Sequence, residues 1–218
     1  MIKILHNDFY FVLEPIFNAH SKTVEGYEIL SRPCSGRIDS EIFFSTLPVD
    51  IIENLFLEQI SFFIKQCFID SSLKRNIFIN IHHESLLKKD VYESIISFSK
   101  FISINLEIQH YSATNDELYL NIIPFFSGYP VKIWIDDVTS VTKYTPELLN
   151  SAGIKIDKTT FWECYNKKIS LDALKKFSAD SVIIEGVESE DHIRYIRKFD
   201  ISLAQGYYWP QISFLNKC

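Results

Sequence analysis

The chain has 218 residues, a formal net charge of −6, and 47% hydrophobic, 23% charged and 15% aromatic side chains. That length suits one α/β barrel folding as a unit, and the apolar fraction excludes a disordered chain. The acidic balance excludes non-specific nucleic-acid binding, which needs Lys and Arg against phosphate, and no charge-free apolar run reaches the roughly 18 residues of a membrane span.

The N-terminal MIKILHNDFYFVLEPIF carries Lys3 and Asp8 and does not read as a signal peptide. Cys34, Cys67, Cys164 and Cys218 lie far apart with no C-x-x-C pair, which predicts reduced thiols and neither a disulfide framework nor a zinc site. The expectation is one cytoplasmic domain over residues 1–218.

Residues 9–18 and 24–32 read as strands joined by the short polar AHSKT, which predicts an antiparallel hairpin. A helix follows over 50–68. Asp50 and Glu53 form a capping pattern at its start, and Ile52, Leu55, Phe56, Ile60, Phe63, Ile64 and Cys67 share one apolar face. Buried strands are predicted at 76–82, 102–109, 131–137, 153–157, 181–187 and 201–207, with helical or loop segments between them. A helix over 189–199 starts at Ser189, with acids in its first turn and Arg and Lys in its last. This alternation implies a largely parallel sheet. With the opening hairpin it makes eight strands: a modified TIM-type (β/α)8 barrel whose first strand runs against the others.

Polar residues interrupt these strands where apolar ones are expected. They are Glu28, Asn80, Glu107, Asp136, Asp137, Lys155, Glu185 and Gln205, with Glu188 three residues after Glu185. A lone Glu or Asn in a strand is ordinarily structural, and Asp-Asp at a strand end is ordinarily a turn or cap. Here the placement recurs at the C-terminal ends of successive strands, the face on which barrel enzymes do chemistry. Six carboxylates converging there would repel unless cations intervene, and carboxylate and amide oxygens suit Mg²⁺ or Mn²⁺. Two such ions roughly 3.5–4 Å apart activate a water and clamp a phosphodiester for in-line attack. Lys155 would offset charge growing on the phosphate or orient the water.

The same segments resemble a known family. Leu13-Glu14-Pro15-Ile16 is similar to the opening Q-P-I of EAL domains, with Glu14 in place of Gln. Gly26-Tyr27-Glu28-Ile29-Leu30-Ser31-Arg32 resembles the signature G-Y-E-A-L-L-R. Phe78-Ile79-Asn80-Ile81, Leu106-Glu107-Ile108, Ile135-Asp136-Asp137, Ile154-Lys155-Ile156-Asp157, Glu185-Gly186-Val187-Glu188 and Ala204-Gln205-Gly206-Tyr207 follow in the family's order. No single motif is decisive, but their joint occurrence over roughly residues 10–212 is specific. The resemblance implies a domain that binds and hydrolyses cyclic di-GMP with two Mg²⁺ or Mn²⁺ ions. It implies metal ligation by Glu28, Asn80, Glu107, Asp136, Asp137 and Glu185. Glu185, Lys155 and Glu188 would form the catalytic centre, and Arg32 and Gln205 would bind substrate.

Two departures from the pattern fall together. The family's F-G-T-G after Asp-Asp is Val138-Thr139-Ser140-Val141 here, and Val and Thr do not reach the backbone angles open to Gly. The family's E-I-T-E is Glu107-Ile108-Gln109-His110, so the second Glu, which anchors that loop, is replaced by His110. A lone histidine beside a strand is ordinarily structural, and His82-His83 lacks a ligand spacing. Only QISFLNKC follows Pro210, where active members continue into a closing helix. Apolar surface near Trp209, Phe214 and Leu215 is therefore expected as a partner site.

Two functions follow as expectations. One is a degenerate EAL-like regulator of motility and biofilm switching, acting by protein contact with weak or no hydrolysis. The resemblance offers the flagellar master transcription regulator as an example of its partner. The other is an active phosphodiesterase producing linear pGpG. Neither involves direct nucleic-acid or membrane contact.

Overall fold

A computed structural model of the chain describes residues 9–34, 44, 46–109, 123–141 and 151–214. The opening hairpin forms from β1 (Phe9–Asn18) and β2 (Thr23–Pro33), antiparallel along their length, with Leu13 opposite Ile29 and Glu14 opposite Glu28. From β2 the sheet continues through β3 (Asn76–Asn80), β4 (Ser103–Gln109), β5 (Val131–Val138), β6 (Gly153–Ile156), β7 (Val182–Ile184) and β8 (Leu203–Ala204). Each is parallel to its neighbour. Strand β8 then meets β1 antiparallel at Ala204–Phe17 and Leu203–Asn18, which closes the barrel. The first strand thus runs against the other seven.

Strands β7 and β8 are shorter than the predicted 181–187 and 201–207. Beyond Ile184 and Ala204 the two segments leave the sheet and bond each other over the barrel end. The Val187 N–H donates to the Gln205 carbonyl at 3.0 Å, and the Tyr208 N–H to the Val187 carbonyl at 3.0 Å.

Helix α1 (Val49–Ile69) buries Leu55, Phe56, Ile60, Phe63 and Cys67, the apolar face its periodicity predicts. The expected Asp50/Glu53 cap is not formed. Pro48 stands at the N-cap without a side-chain hydrogen bond, and Glu53 instead accepts from Ser85 Oγ at 2.6 Å and Lys88 Nζ at 2.8 Å. Helices α2 (Lys89–Phe98), α3 (Lys158–Lys167) and α4 (Glu190–Arg197) complete the outer layer. Asp157 caps α3 by accepting from the Thr159 and Thr160 N–H groups, and Ser189 caps α4 from the His192 N–H as predicted.

Side chains alternate across a strand, so residues two apart on one strand share a face. Inside the barrel this produces two stacked layers. The lower is apolar: Ile16, Phe78, Trp134, Ile183 and Leu203 form one buried cluster. Asn105 joins it by accepting from Trp134 Nε1 at 3.0 Å and donating to Asn76 Oδ1 at 2.6 Å. Two residues towards the other end of each strand stand Glu14, Asn80, Asp136, Glu185, Gln205 and Glu107. Glu28 and Lys155 stand in the same relation to Gly26 and Gly153. Eight strands therefore supply eight polar side chains to one level.

Two further expectations are corrected. Trp209 is buried and stacks on Phe17 at 4.8 Å, while half-buried Phe214 packs edge-on against Phe62 at 5.0 Å. A short strand β9 (Ile212–Phe214) lies along the stretch of β1 that β8 leaves unpaired, so Trp209 and Phe214 help to seal the barrel wall, while Tyr207, Tyr208 and Ile212 of the same segment stay exposed. Leu215 and His110 lie outside the described residues. Cys34 is disulfide-bonded, against the expectation of reduced thiols, whereas Cys67 and Cys164 are free. No described helix is long and apolar enough to cross a membrane.

Gly153 is required by contact. A Cβ there would lie 2.4 Å from Trp134 Cζ3 and 2.5 Å from the Ser181 carbonyl oxygen. Gly153→Ala is expected to destabilise the protein by about 1–3 kcal/mol through overpacking of the lower layer. Urea unfolding at constant m-value measures this, and an unchanged midpoint would contradict the packing described.

Candidate functional site

The polar layer sits at the C-terminal end of the parallel strands, and Lys155 occupies its middle. Its ammonium lies 2.8 Å from Glu185 Oε1, 2.9 Å from Glu107 Oε1, 3.2 Å from Glu28 Oε2 and 3.5 Å from Asp136 Oδ1. These carboxylates come from four different strands. Lys155 is 1% exposed and Glu107 likewise. Such burial is tolerable only for paired charge.

One ammonium has three N–H groups and cannot satisfy four carboxylates. Both oxygens of Glu107 and Oδ1 of Asp136 are buried without a hydrogen bond, as is Gln205 Oε1. Glu107 Oε1 and Asp136 Oδ1 feel the charge of Lys155 at close range, yet no N–H is aligned on them. Glu28 is better served. Asn80 Nδ2 donates to its Oε1 at 2.9 Å, and Gln205 Nε2 and Lys155 Nζ donate to Oε2.

Asp136 and Asp137 are consecutive, so a regular strand would aim them at opposite faces. A bulge prevents this. The β5–β6 register shifts between Ile135 and Val138, and Asp137 takes a left-handed φ of 54°. That conformation costs a non-glycine residue about 1–2 kcal/mol. As a result Asp136, Asp137 and Glu185 each offer an oxygen within 4.8 Å of the others.

The electrostatics follow from this crowding. Burial, offset in part by Lys155 and reinforced by Asp136 and Glu28, pushes Glu185 up to about 8. Burial, with Glu28 beside it, drives Glu107 well above the usual carboxylate range, and burial also raises Asp136. Burial raises Glu28 as well, but Lys155 and the Gln205 amide more than offset it and Glu28 ends lowered. Lys155 is desolvated too, yet the surrounding carboxylates, Asp136 first, hold it well above its ordinary value.

Glu28, Asn80, Glu107, Asp136, Asp137, Lys155, Glu185 and Gln205 are therefore brought together as their positions predict. Glu188 is exposed at the mouth of an adjoining cavity of about 240 Å³ and does not reach Lys155 by any ion pair. Arg32 is half-buried on β2, four residues past Glu28, and does not line that cavity.

The sequence reading missed Glu14, Lys158, Trp162 and Tyr207, which line the same cavity. Glu14 is the eighth member of the polar layer. It lies opposite Glu28, accepts from Gln211 Nε2 at 2.6 Å, and is raised by burial and by Glu28. Its two-residue spacing from Ile16 on an inward face was the available signal. Gly206 closes the cavity wall with φ 147°, where a Cβ would lie 2.4 Å from the Val187 nitrogen.

All candidate donors are oxygens, several are buried and under-satisfied, and three converge from two strands. That set fits a hard divalent cation such as Mg²⁺ or Mn²⁺ and offers no thiolate or imidazole for zinc among the described residues.

A closed mixed barrel with a polar layer at the C-terminal strand ends defines a TIM-like α/β protein with a carboxylate–lysine centre. Residues 2–211 match the EAL domain family, and the chain belongs to it. Among solved structures, the EAL-like domain protein YdiV superposes with a TM-score of 0.71 at 17% identity, covering 95% of this chain and 94% of that one. Klebsiella pneumoniae BlrP1, solved with manganese and cyclic di-GMP, gives 0.69 at 16% identity over 97% of this chain and 59% of BlrP1. The phosphodiesterase PaMucR, in complex with cyclic di-GMP, gives 0.67 at 18% identity over 92% and 95%. No curated protein sequence matches the chain.

Replacing Lys155 by Met leaves its carboxylates buried without their cation. The metal-free protein should lose about 3–5 kcal/mol. Millimolar Mn²⁺ should restore more melting temperature in this variant than in wild type. Equal melting of both proteins in chelator would refute the central role of Lys155.

A carboxyl raised in the folded state stabilises the fold fully below its unfolded value and loses that contribution as pH rises through the folded one. For Glu185 the loss runs from about 4.5 to about 8. The melting temperature in chelator should therefore fall between pH 5 and pH 8.5. Ion binding needs the carboxylate, so it should release protons and tighten with rising pH. Calorimetry in buffers of different ionisation enthalpy measures the release. A melting temperature that rises over this range would contradict the assignment.

Proposed function

We propose that this chain is a divalent-cation-dependent cyclic di-GMP-binding regulator that acts by protein contact, with slow or no turnover. The observation that carries this reading lies just after Asp137. Val138 is fully buried and accepts from the Asp157 N–H at 3.2 Å, and Val141 packs against the same core. The start of the Val138-Thr139-Ser140-Val141 stretch that replaces the family's F-G-T-G is thereby tied to the barrel wall, while Thr139 is exposed. The flagellar master transcription regulator is the partner class this reading suggests, with motility and biofilm switching as its outcome in the cytoplasm. The chain would act as a single domain over 1–218.

The second reading, an active phosphodiesterase giving linear pGpG, is favoured by the completeness of the oxygen set. Glu28, Asn80, Glu107, Asp136, Asp137 and Glu185 would hold two Mg²⁺ or Mn²⁺ ions. Bound there, the ions would supply Lewis-acid activation of water and neutralise the phosphodiester. The chain's own groups would do the rest. Lys155 would place its ammonium towards the phosphate oxygens once the carboxylates are otherwise engaged. Gln205 would fix Glu28, Glu188 would stand at the mouth, and Arg32 would meet a phosphate if the ligand extends along β2. The manganese and cyclic di-GMP complex of BlrP1 and the cyclic di-GMP complex of PaMucR on the same fold support a ligand of this class.

The test is cyclic di-GMP binding in Ca²⁺, which suppresses chemistry, beside turnover in Mg²⁺ and Mn²⁺. The regulator reading expects binding with turnover below about 0.01 s⁻¹, far under the ~10 s⁻¹ typical of enzymes. Any residual hydrolysis should vanish in Glu185→Gln. Turnover of several per second would establish the enzyme reading, and absence of binding would reject cyclic di-GMP for both.

A further inference from the structure

Trp209 is buried, although Tyr207, Tyr208 and Ile212 beside it are exposed, and a larger set of exposed apolar groups stands elsewhere. Five of the eleven large hydrophobic residues exposed among the described residues are Phe68, Ile69, Phe101, Phe125 and Tyr129. All five lie on the connections entering β3, β4 and β5. Because these strands are parallel, the connections meet at one end of the barrel, opposite the carboxylate layer. Two hydrogen bonds tie them side by side: the Ser103 N–H to the Arg75 carbonyl at 2.8 Å and the Ile104 N–H to the Pro130 carbonyl at 2.9 Å.

The charge here is opposite to that of the whole molecule. Lys74, Arg75 and Lys100 are exposed on these connections and Lys132 at the start of β5, whereas the chain carries −6 overall. Residues 68–75, 99–102 and 124–132 contain one carboxylate, Asp70, which accepts from the Ser72 N–H at 2.9 Å and Ser72 Oγ at 2.7 Å. No described carboxylate forms an ion pair with Lys74, Lys100 or Lys132. The Arg75 guanidinium lies over the Phe68 ring at 5.6 Å, so cation and aromatic surface are already interleaved.

We propose that this end of the barrel is a docking surface for an acidic amphipathic segment of a partner protein. Lys and Arg would meet its carboxylates, and Phe101, Phe125 and Tyr129 its apolar side chains. A membrane surface fits less well. Phe101, Phe125 and Tyr129 are only 42–50% exposed and Phe125 is stacked on Tyr92 at 5.0 Å, so three of the five apolar groups are half-sunk, and Phe68 and Ile69 alone stand out further. The surface goes beyond the regulator reading and is physically separate from the carboxylate site, so failure of either leaves the other standing.

The test uses fluorescence anisotropy with a dye-labelled acidic amphipathic helical peptide as probe. A charge-reversed basic peptide and vesicles containing phosphatidylglycerol serve as comparisons. Wild type should bind the acidic peptide with Kd on the order of 10 μM, weakening as salt rises. Lys74→Glu with Lys100→Glu should weaken binding about tenfold, and Phe101→Ala with Tyr129→Ala by a similar factor. Both variants should keep the wild-type melting temperature and its Mn²⁺-induced shift. The proposal is overturned if the acidic peptide does not bind, if the basic peptide binds equally, or if folded variants bind as wild type. It is also overturned if these residues govern vesicle binding and not peptide binding.

Discussion

Lys155 is the charge on which the middle of this protein depends. Four strands deliver a carboxylate to within 3.5 Å of one ammonium that is itself removed from water. Without a cation, ionised carboxylates this close would force the barrel end apart or take up protons. With it, the charges compensate in part, and the residue of the imbalance appears as raised carboxyls at Glu107, Asp136 and Glu185. The same imbalance makes the layer receptive to further positive charge. A divalent ion bound here would compete with Lys155 for one set of oxygens.

That layer exists because of strand geometry. A closed eight-stranded barrel admits one inward side chain per strand per level, and the level below is filled by Ile16, Phe78, Trp134, Ile183 and Leu203. Packing at the lower level holds the strands in register, and the register sets which residue stands above. The bulge at Asp136–Asp137 is the one described place where the chain departs from alternation at this level. It does so at a conformational cost that brings a second carboxylate to the site. The C-terminal segment matters for the same reason: β9 and Trp209 cover β1, which supplies both Ile16 and Glu14.

Much of this was legible in the residues. Period-two alternation with polar interruptions located seven of the eight polar-layer members, together with the hairpin, the apolar face of α1 and the Ser189 cap. The misses have physical causes. Glu14 was read as a substitution within a motif and not placed, because an isolated residue on an antiparallel strand gives no hint of which end it faces. The Asp50/Glu53 cap had the right spacing, but Glu53 found stronger partners in Ser85 and Lys88, which are distant in sequence. Trp209 and Phe214 looked exposed because their partners, Phe17 and Phe62, lie nearly two hundred and more than one hundred and fifty residues earlier.

By itself the sequence determined which side chains are chemically capable: oxygen donors, one buried lysine, and no thiolate or histidine cluster. It also determined that successive strands present them, since hydrophobic periodicity is a local property. Only the tertiary structure decided that they meet at one level, that Glu14 is among them, and that Trp209 near the C-terminus is buried. It likewise gathered Phe68, Phe101 and Tyr129 with Lys74, Arg75 and Lys100 at the opposite end. The reason is that closure of the sheet sets distances between strands far apart in the chain, and no local pattern records which ends a closed barrel brings together.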